Sequence, residues 1–291
     1  MKWLIYGHNG WIGHQVLEHI NENYPNDEVI LGKSRVDNND EVLAELLNSN
    51  PDRVVCLIGR THGDGISTID YLENKGKLVI NIRDNLYGPL VLAINCQKLN
   101  IHLTYLGTGC IFNYDETHTI SNNNGFKESD IPNFFGSSYS VVKGYTDRLM
   151  HLFSDNVLNI RIRMPITSAD HSRNFISKII RYEKICSIEN SMTVLDELIP
   201  CMILMAKEGE TGTVNMTNPG KISHNQILEL YKKQVDPSFS YKNFSIDEQQ
   251  QILKSDRSNN YLDTSRLENR FPFVQNIENA IIRVLSNWKK T

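Results

Sequence analysis

The chain has 291 residues, of which 40% are hydrophobic and 22% charged, with a formal net charge of -4. These totals supply a sizeable core, for one large α/β domain or for a nucleotide-binding domain with a smaller partner. The acidic balance argues against a nucleic-acid binder, which carries a basic surplus, but leaves room for a local basic pocket for a phosphate. In chain order, residues 2–6 read as a short buried strand and residues 7–13 as a glycine turn. Ile12, Val16, Leu17 and Ile20 then recur at helical spacing. Residues 29–31 form a second strand, and Val42, Leu43, Leu46 and Leu47 mark a second helix that Pro51 ends. A third strand over 54–58, a helix over 85–97, a strand over 102–106, a helix over 139–153 and a strand over 157–162 follow. Pro165 closes this run. Strands alternating with helices at this rhythm predict βαβ units, hence a Rossmann-type doubly wound parallel sheet. Beyond residue 165 the elements shorten, which predicts a smaller C-terminal α/β unit. Residues 117–133 and 236–260 look loop-rich, and 277–288 reads as a final helix with a basic end that suits its dipole.

No stretch is long enough to cross a bilayer, and the apolar start, residues 1–6, is too short for a leader peptide. The cysteines Cys56, Cys96, Cys110, Cys186 and Cys201 are scattered, odd in number and without metal-ligand spacing. They read as free thiols in a reducing compartment, so a cytoplasmic location and no metal site are expected.

The glycine turn, Gly7-His8-Asn9-Gly10-Trp11-Ile12-Gly13, follows a strand and opens a helix. In that context Gly7 permits the tight turn and Gly10 lets backbone approach a pyrophosphate at the helix N-terminus. Gly13 permits close packing of helix on strand. The turn thus predicts a dinucleotide site on residues 7–13, with Asn9, Trp11 and Ile12 between its glycines. After the second strand an acidic residue would bond the ribose of NAD, whereas a basic one accommodates the extra phosphate of NADP. Here stand Lys33, Ser34 and Arg35, with no carboxylate before Asp37, so NADPH is the expected cofactor.

Tyr139 and Lys143 have the spacing that puts two residues on one helix face. A lysine ammonium so placed lowers a tyrosine pKa from its reference of about 10, and the tyrosine can then donate a proton to a carbonyl under reduction. The pattern occurs twice. Tyr71 and Lys75 repeat it, but before the helix over 85–97, where the sheet order gives no catalytic place; they read as packing or surface. Thr108 follows the strand over 102–106 and can hydrogen-bond a substrate carbonyl at a strand's C-terminal end.

At this point the residues resemble a known family. The glycine turn with Thr108, Tyr139 and Lys143 is similar to an extended short-chain dehydrogenase/reductase. Residues 108–115, Thr-Gly-Cys-Ile-Phe-Asn-Tyr-Asp, resemble those of the bifunctional UDP-4-keto-6-deoxyglucose 3,5-epimerase/4-reductases of plant UDP-L-rhamnose synthesis. So do residues 125–128, 161–166, 173–178, 190–198, 217–220 and 257–260, which spreads the resemblance over nearly the whole chain. Residues 57–60, Leu-Ile-Gly-Arg, depart from the family's small-residue segment, as do residues 61–80.

The resemblance implies acid/base work at carbons 3 and 5 of the keto sugar by Cys110 and Lys178. Alone, Cys110 reads as a small buried hydrophobe and Lys178 as a solvated helix face. It also implies hydride transfer from NADPH to carbon 4, with Tyr139 as proton donor, Thr108 orienting the carbonyl and Lys143 supporting both tyrosine and cofactor ribose. Asn85, Arg163, Asn174 and Arg257 are the residues expected to bind or frame the nucleotide-sugar, UDP-linked more than dTDP-linked. Extended members also imply a homodimer and a chain that returns once to the first domain. The boundaries expected are therefore 1–164 with 191–217 for the cofactor and 165–190 with 218–291 for the substrate. Two other functions fit less: a dTDP-4-dehydrorhamnose reductase, which has no use for Cys110 or Lys178, and a non-catalytic NADP-binding regulatory subunit, which has no use for Thr108, Tyr139 and Lys143.

Overall fold

The computed structural model describes residues 1–289. In chain order its elements are β1 (Lys2–Tyr6), α1 (Trp11–Asn23), β2 (Glu28–Leu31), α2 (Asn39–Ser49), β3 (Arg53–Cys56), α3 (Leu78–Ile82), α4 (Gly88–Lys98), β4 (His102–Thr108), α5 (Ser138–Met150), β5 (Val157–Ile162) and β6 (Pro165–Ile166). They continue as α6 (Phe175–Ile179), β7 (Lys184–Ile185), β8 (Thr193–Val194), α7 (Leu195–Glu208), β9 (Gly212–Asn215), α8 (His224–Gln234), β10 (Lys242–Asn243), α9 (Ile246–Ile252), α10 (Ser265–Arg270) and α11 (Ile277–Ser286).

Six parallel strands form the main sheet in the order β2-β1-β3-β4-β5-β9. Central strands are buried on both faces, as a covered parallel sheet requires, and every residue of β5 is buried. One apolar cluster joins the sheet to α1 and α7 through Val16, Ile20, Leu198 and Met202. A second joins the opposite face to α2 and α4 through Val42, Leu46, Leu92 and Cys96. Helices on both faces make the sheet doubly wound, and β1, paired with β2 on one side and β3 on the other, is its switch point.

A separate cluster of Ile166, Ile176, Ile185, Val194, Ile227 and Ile281 holds β6, α6, β7, β8, α8 and α11 together. Helix α10 sits apart from that cluster: its Leu267, with Phe271 just beyond it, packs into the core under the main sheet. Among the described residues no helix is long and apolar enough to cross a membrane.

Two elements differ from expectation for identifiable reasons. The helix expected over 85–97 begins earlier, at Leu78, and passes through a π-helical turn, Arg83–Tyr87, before α4. Pro89 has no N–H to give to the Asn85 carbonyl; the Thr146 hydroxyl of α5 donates there instead, at 2.8 Å. The stretch read as loop over 236–260 contains α9, whose start is a capping box of Ser245 and Glu248.

Candidate active site

The glycine turn lies at the switch point. Gly7 has φ +82°, and a Cβ there would stand 2.9 Å from the Leu57 carbonyl carbon at the end of β3. A Cβ on Gly13 would meet the Gly7 carbonyl oxygen at 2.4 Å, so helix and turn close only without one. Gly10 is the N-cap of α1 and offers no side chain to its first turn. The cradle and the uncapped helix start fit a pyrophosphate. Asn9 is exposed beside it, while Ile12 packs into the core. Trp11 stacks on His171 with ring centroids 5.2 Å apart. Beyond β2, the Ser34 hydroxyl donates to the Glu41 carbonyl at 3.1 Å, and the exposed Arg35 guanidinium pairs with Asp37 at 3.0 Å.

Strand β4 ends in Thr108, which is buried. Its hydroxyl accepts the Cys110 N–H at 3.1 Å and donates to the Ile162 carbonyl at 3.4 Å, and it stands near enough to the Tyr139 phenol to lower its pKa. Ser140, one residue along α5, donates its hydroxyl to the Cys110 carbonyl at 2.8 Å. Both backbone groups of Cys110 are thus held by the elements that carry Thr108 and Tyr139. Cys110 alone of the five cysteines is not buried. Cys110 and Tyr139 share the wall of a cavity of about 660 Å³. Met164, Phe175, Tyr182, His224 and Phe244 also line it.

Burial, and then the neighbouring Cys110, push the Tyr139 phenol above its ordinary pKa, against the effect of Thr108. Lys143 does not counter this. Its Nζ donates to the Tyr105 hydroxyl of β4 and lies 4.6 Å from that ring's centroid. The expected lowering of Tyr139 by Lys143 is therefore corrected: the buried ammonium is anchored on Tyr105, and burial brings its pKa to about 8. Lys178, half-buried on α6, donates to the Ser67 carbonyl at 3.4 Å. The next residues, Thr68 and Ile69, are in the cavity wall, which sets Lys178 at the cavity's rim. Burial and Arg173 lower its pKa.

No family model matches the chain. The protein L780 of Acanthamoeba polyphaga mimivirus, a UDP-rhamnose synthase with a crystal structure, is 54% identical, with TM-score 0.95 and 99% of both chains covered. The bifunctional dTDP-4-dehydrorhamnose 3,5-epimerase/dTDP-4-dehydrorhamnose reductase of Arabidopsis thaliana is 41% identical over 297 residues, covering 100% of this chain and 94% of the relative. The chain belongs to the nucleotide-sugar 3,5-epimerase/4-reductase family. A dTDP-4-dehydrorhamnose reductase from Clostridium acetobutylicum, 15% identical with TM-score 0.78 over 98% of both chains, shares the fold.

Within this epimerase/reductase, three residues expected at the nucleotide-sugar are scaffold instead. Asn85 is fully buried; its amide accepts the Arg60 N–H and donates to the Arg60 carbonyl, each at 2.9 Å. Asn174, also fully buried, caps α6 and donates to the carbonyls of Thr167 and Ala169 at 2.8 and 2.7 Å. Arg163 is 1% exposed and donates to the carbonyls of Asn260 and Ser258 at 3.1 and 2.9 Å. Burial leaves none of the three a face for a ligand. Arg257 does line the cavity, with its guanidinium paired to Asp70 at 2.7 Å.

In the second Tyr-x-x-x-Lys copy, Tyr71 is buried against Tyr139 and Cys110 while Lys75 is exposed. Residues 61–80, where the family resemblance is poor, are tied to the site by Glu73, which accepts the Ser138 N–H at 2.8 Å. Sequence reasoning missed Ser140, Tyr105 and Glu73. Only Ser140 had a signal, its place beside Tyr139.

Proposed function

We propose that the protein converts UDP-4-keto-6-deoxy-D-glucose to UDP-L-rhamnose by epimerisation at carbons 3 and 5 followed by NADPH-dependent reduction at carbon 4. The observation that carries this is the meeting of Cys110 with Tyr139 in one cavity wall, with Thr108 bonded to Cys110 and beside Tyr139. One 4-keto oxygen at Thr108 and Tyr139 serves both steps. It makes the neighbouring C–H groups acidic, and the two hydroxyls stabilise first the enolate and then the alkoxide. The Cys110 thiolate takes a proton from carbon 3 or 5, and the Lys178 ammonium returns one on the opposite face. Tyr139 then protonates the oxygen, while Lys143 holds the nicotinamide ribose.

NADPH, when bound, supplies the hydride. Gly7, Asn9, Gly10, Trp11, Ile12 and Gly13 hold its pyrophosphate, and Ser34 and Arg35 its extra phosphate. Arg257 binds the substrate pyrophosphate from the cavity wall. UDP is preferred to dTDP as the nucleotide, following L780, the more similar of the two relatives. We divide the chain into a cofactor unit, residues 1–164 and 191–217, and a substrate unit, residues 165–190 and 218–291. The enzyme acts in the cytoplasm as a homodimer; Val79, Tyr145 and Leu152, exposed at 72%, 61% and 75%, offer apolar surface for that contact.

Incubation with UDP-4-keto-6-deoxyglucose in deuterated water, read by NMR, tests this. Deuterium enters carbons 3 and 5 without NADPH, and UDP-L-rhamnose forms only when NADPH is added. Reduction of pre-epimerised substrate with no deuterium uptake would leave a plain reductase. Neither reaction, with NADPH still bound, would point to a regulatory subunit.

A further inference from the structure

The residue most displaced from its expected role is Arg163. Its surroundings are unusual for a buried cation, which ordinarily has a carboxylate partner. Among the described residues no Asp or Glu pairs with it. Two of its nitrogens go to backbone carbonyls of Ser258 and Asn260, and its buried Nε has no partner of good geometry. Burial lowers the pKa of the guanidinium, and the neighbouring Cys110, with Tyr114, acts against that.

Three further features put the guanidinium there. Gly109, the residue before Cys110, leaves space for the arginine stem: a Cβ on it would stand 3.0 Å from Arg163 Cγ and 3.1 Å from Cδ. Asn260, whose carbonyl accepts from Arg163, donates its own amide to the carbonyls of Gly109 and Phe112 at 2.9 and 2.8 Å. Met164, directly after Arg163, has φ +40° and lines the cavity. A left-handed backbone is disfavoured for a bulky residue, and such strain persists where surrounding contacts impose it. The turn at Met164 sends one side chain into the cavity and leaves its neighbour beneath the Gly109–Cys110 peptide.

We propose that Arg163 is a positioning residue for epimerisation: its buried guanidinium holds the Cys110 sulfur and stabilises the negative charge that sulfur carries as a base. This rests on the reading of Cys110 as the acid/base group. Tyr139 and Lys143 on α5 also bear electrostatically on Cys110, and Tyr71 packs against it. Arg257 and His224 line the same cavity, and Lys178 stands at its rim. Of the cations here, Arg257 is already paired with Asp70, and Lys143 is bonded to Tyr105. Arg163 keeps a buried nitrogen, Nε, without a hydrogen-bond partner.

The test separates the two half-reactions and compares Arg163→Met, which keeps the stem without the charge, with Arg163→Lys, which keeps a cation. In Arg163→Met, deuterium uptake from water at carbons 3 and 5, without NADPH, falls about tenfold or more, because an opposite charge shifts such an ionisation by about one to three pH units. The pH profile of Cys110 alkylation by iodoacetamide moves up by about one unit or more with it. Reduction of pre-epimerised UDP-4-keto-rhamnose falls less than about threefold, and Arg163→Lys restores most of the uptake. Equal loss of both half-reactions, or an unchanged alkylation profile, would make Arg163 merely structural and overturn the proposal.

Should Arg163→Met not fold, the unmutated protein carries the test. The Arg163 Nε resonance follows Cys110 ionisation with pH, and Cys110→Ala removes that response; a flat resonance overturns the proposal. Should Cys110→Ala itself leave deuterium uptake unchanged, the reading of Cys110 fails and takes the proposal with it.

Discussion

Two arginines flank Ile162, and they show two ways to bury a cation. Arg161, within β5, is 0% exposed and meets Asp147 of α5 through two bonds, at 2.9 and 2.8 Å. Arg163, just past the strand's end, is 1% exposed and has carbonyls and a thiol but no carboxylate. The first is neutralised by its carboxylate, is joined by Asn159, Asn215 and the Lys127 carbonyl, and ties α5 to the sheet beneath the site. The second leaves charge uncompensated, next to the one cysteine that is not buried. A charge neutralised within the fold is scaffold; a charge left open beside a cavity is available to chemistry.

The contrast is broken most forcefully at Asp147. Asp147→Ala leaves Arg161 buried and unpaired, and is expected to cost about 3–5 kcal/mol in urea unfolding. A loss near zero would mean that Arg161 finds other partners and that the contrast is false. A smaller effect follows at Asn174, the residue moved from ligand to cap. Asn174→Ala should cost about 1–2 kcal/mol with the KM for nucleotide-sugar unchanged; a raised KM at unchanged stability would restore the ligand role.

The open charge also acts on His224, whose pKa is brought down to about 4 by burial and, secondarily, by Arg163. Between about pH 6.5, the unfolded value, and about 4 the folded protein binds fewer protons than the unfolded chain. Stability therefore falls as pH drops through that window and levels off below it. His224→Phe should flatten this decline in denaturation profiles taken from pH 7 to 4, and an unchanged decline would place its origin elsewhere. Smallest is the stability change in Cys110→Ala, expected below about 1 kcal/mol because Arg163 keeps both carbonyl bonds.

What the sequence made legible follows from how local each signal is. The glycine turn is read within seven residues, and the close contacts at Gly13 are made by that same segment, whereas those at Gly7 come from Leu57 and Ile58 beyond β3. Thr108 and Tyr139 could be placed near one another because one ends a strand and the other opens the helix that follows it. Arg163 was misread because its carbonyl partners lie 97 and 95 positions away, and backbone acceptors leave no mark in residue identity. Glu73 was invisible for the same reason: the amide it caps is 65 positions on. The Tyr-x-x-x-Lys spacing, by contrast, is so easily met that in one copy the tyrosine became core packing. Even in the other, the lysine turned to Tyr105, a strand residue that no helical spacing could foretell.

The measurement that tests the central claim most directly is Cys110→Ala assayed in deuterated water on both substrates. The account predicts deuterium uptake at carbons 3 and 5 reduced by about a hundredfold or more, with pre-epimerised UDP-4-keto-rhamnose still reduced by NADPH. Uptake at the wild-type rate, or loss of reduction in step with it, would contradict the assignment of epimerisation to Cys110.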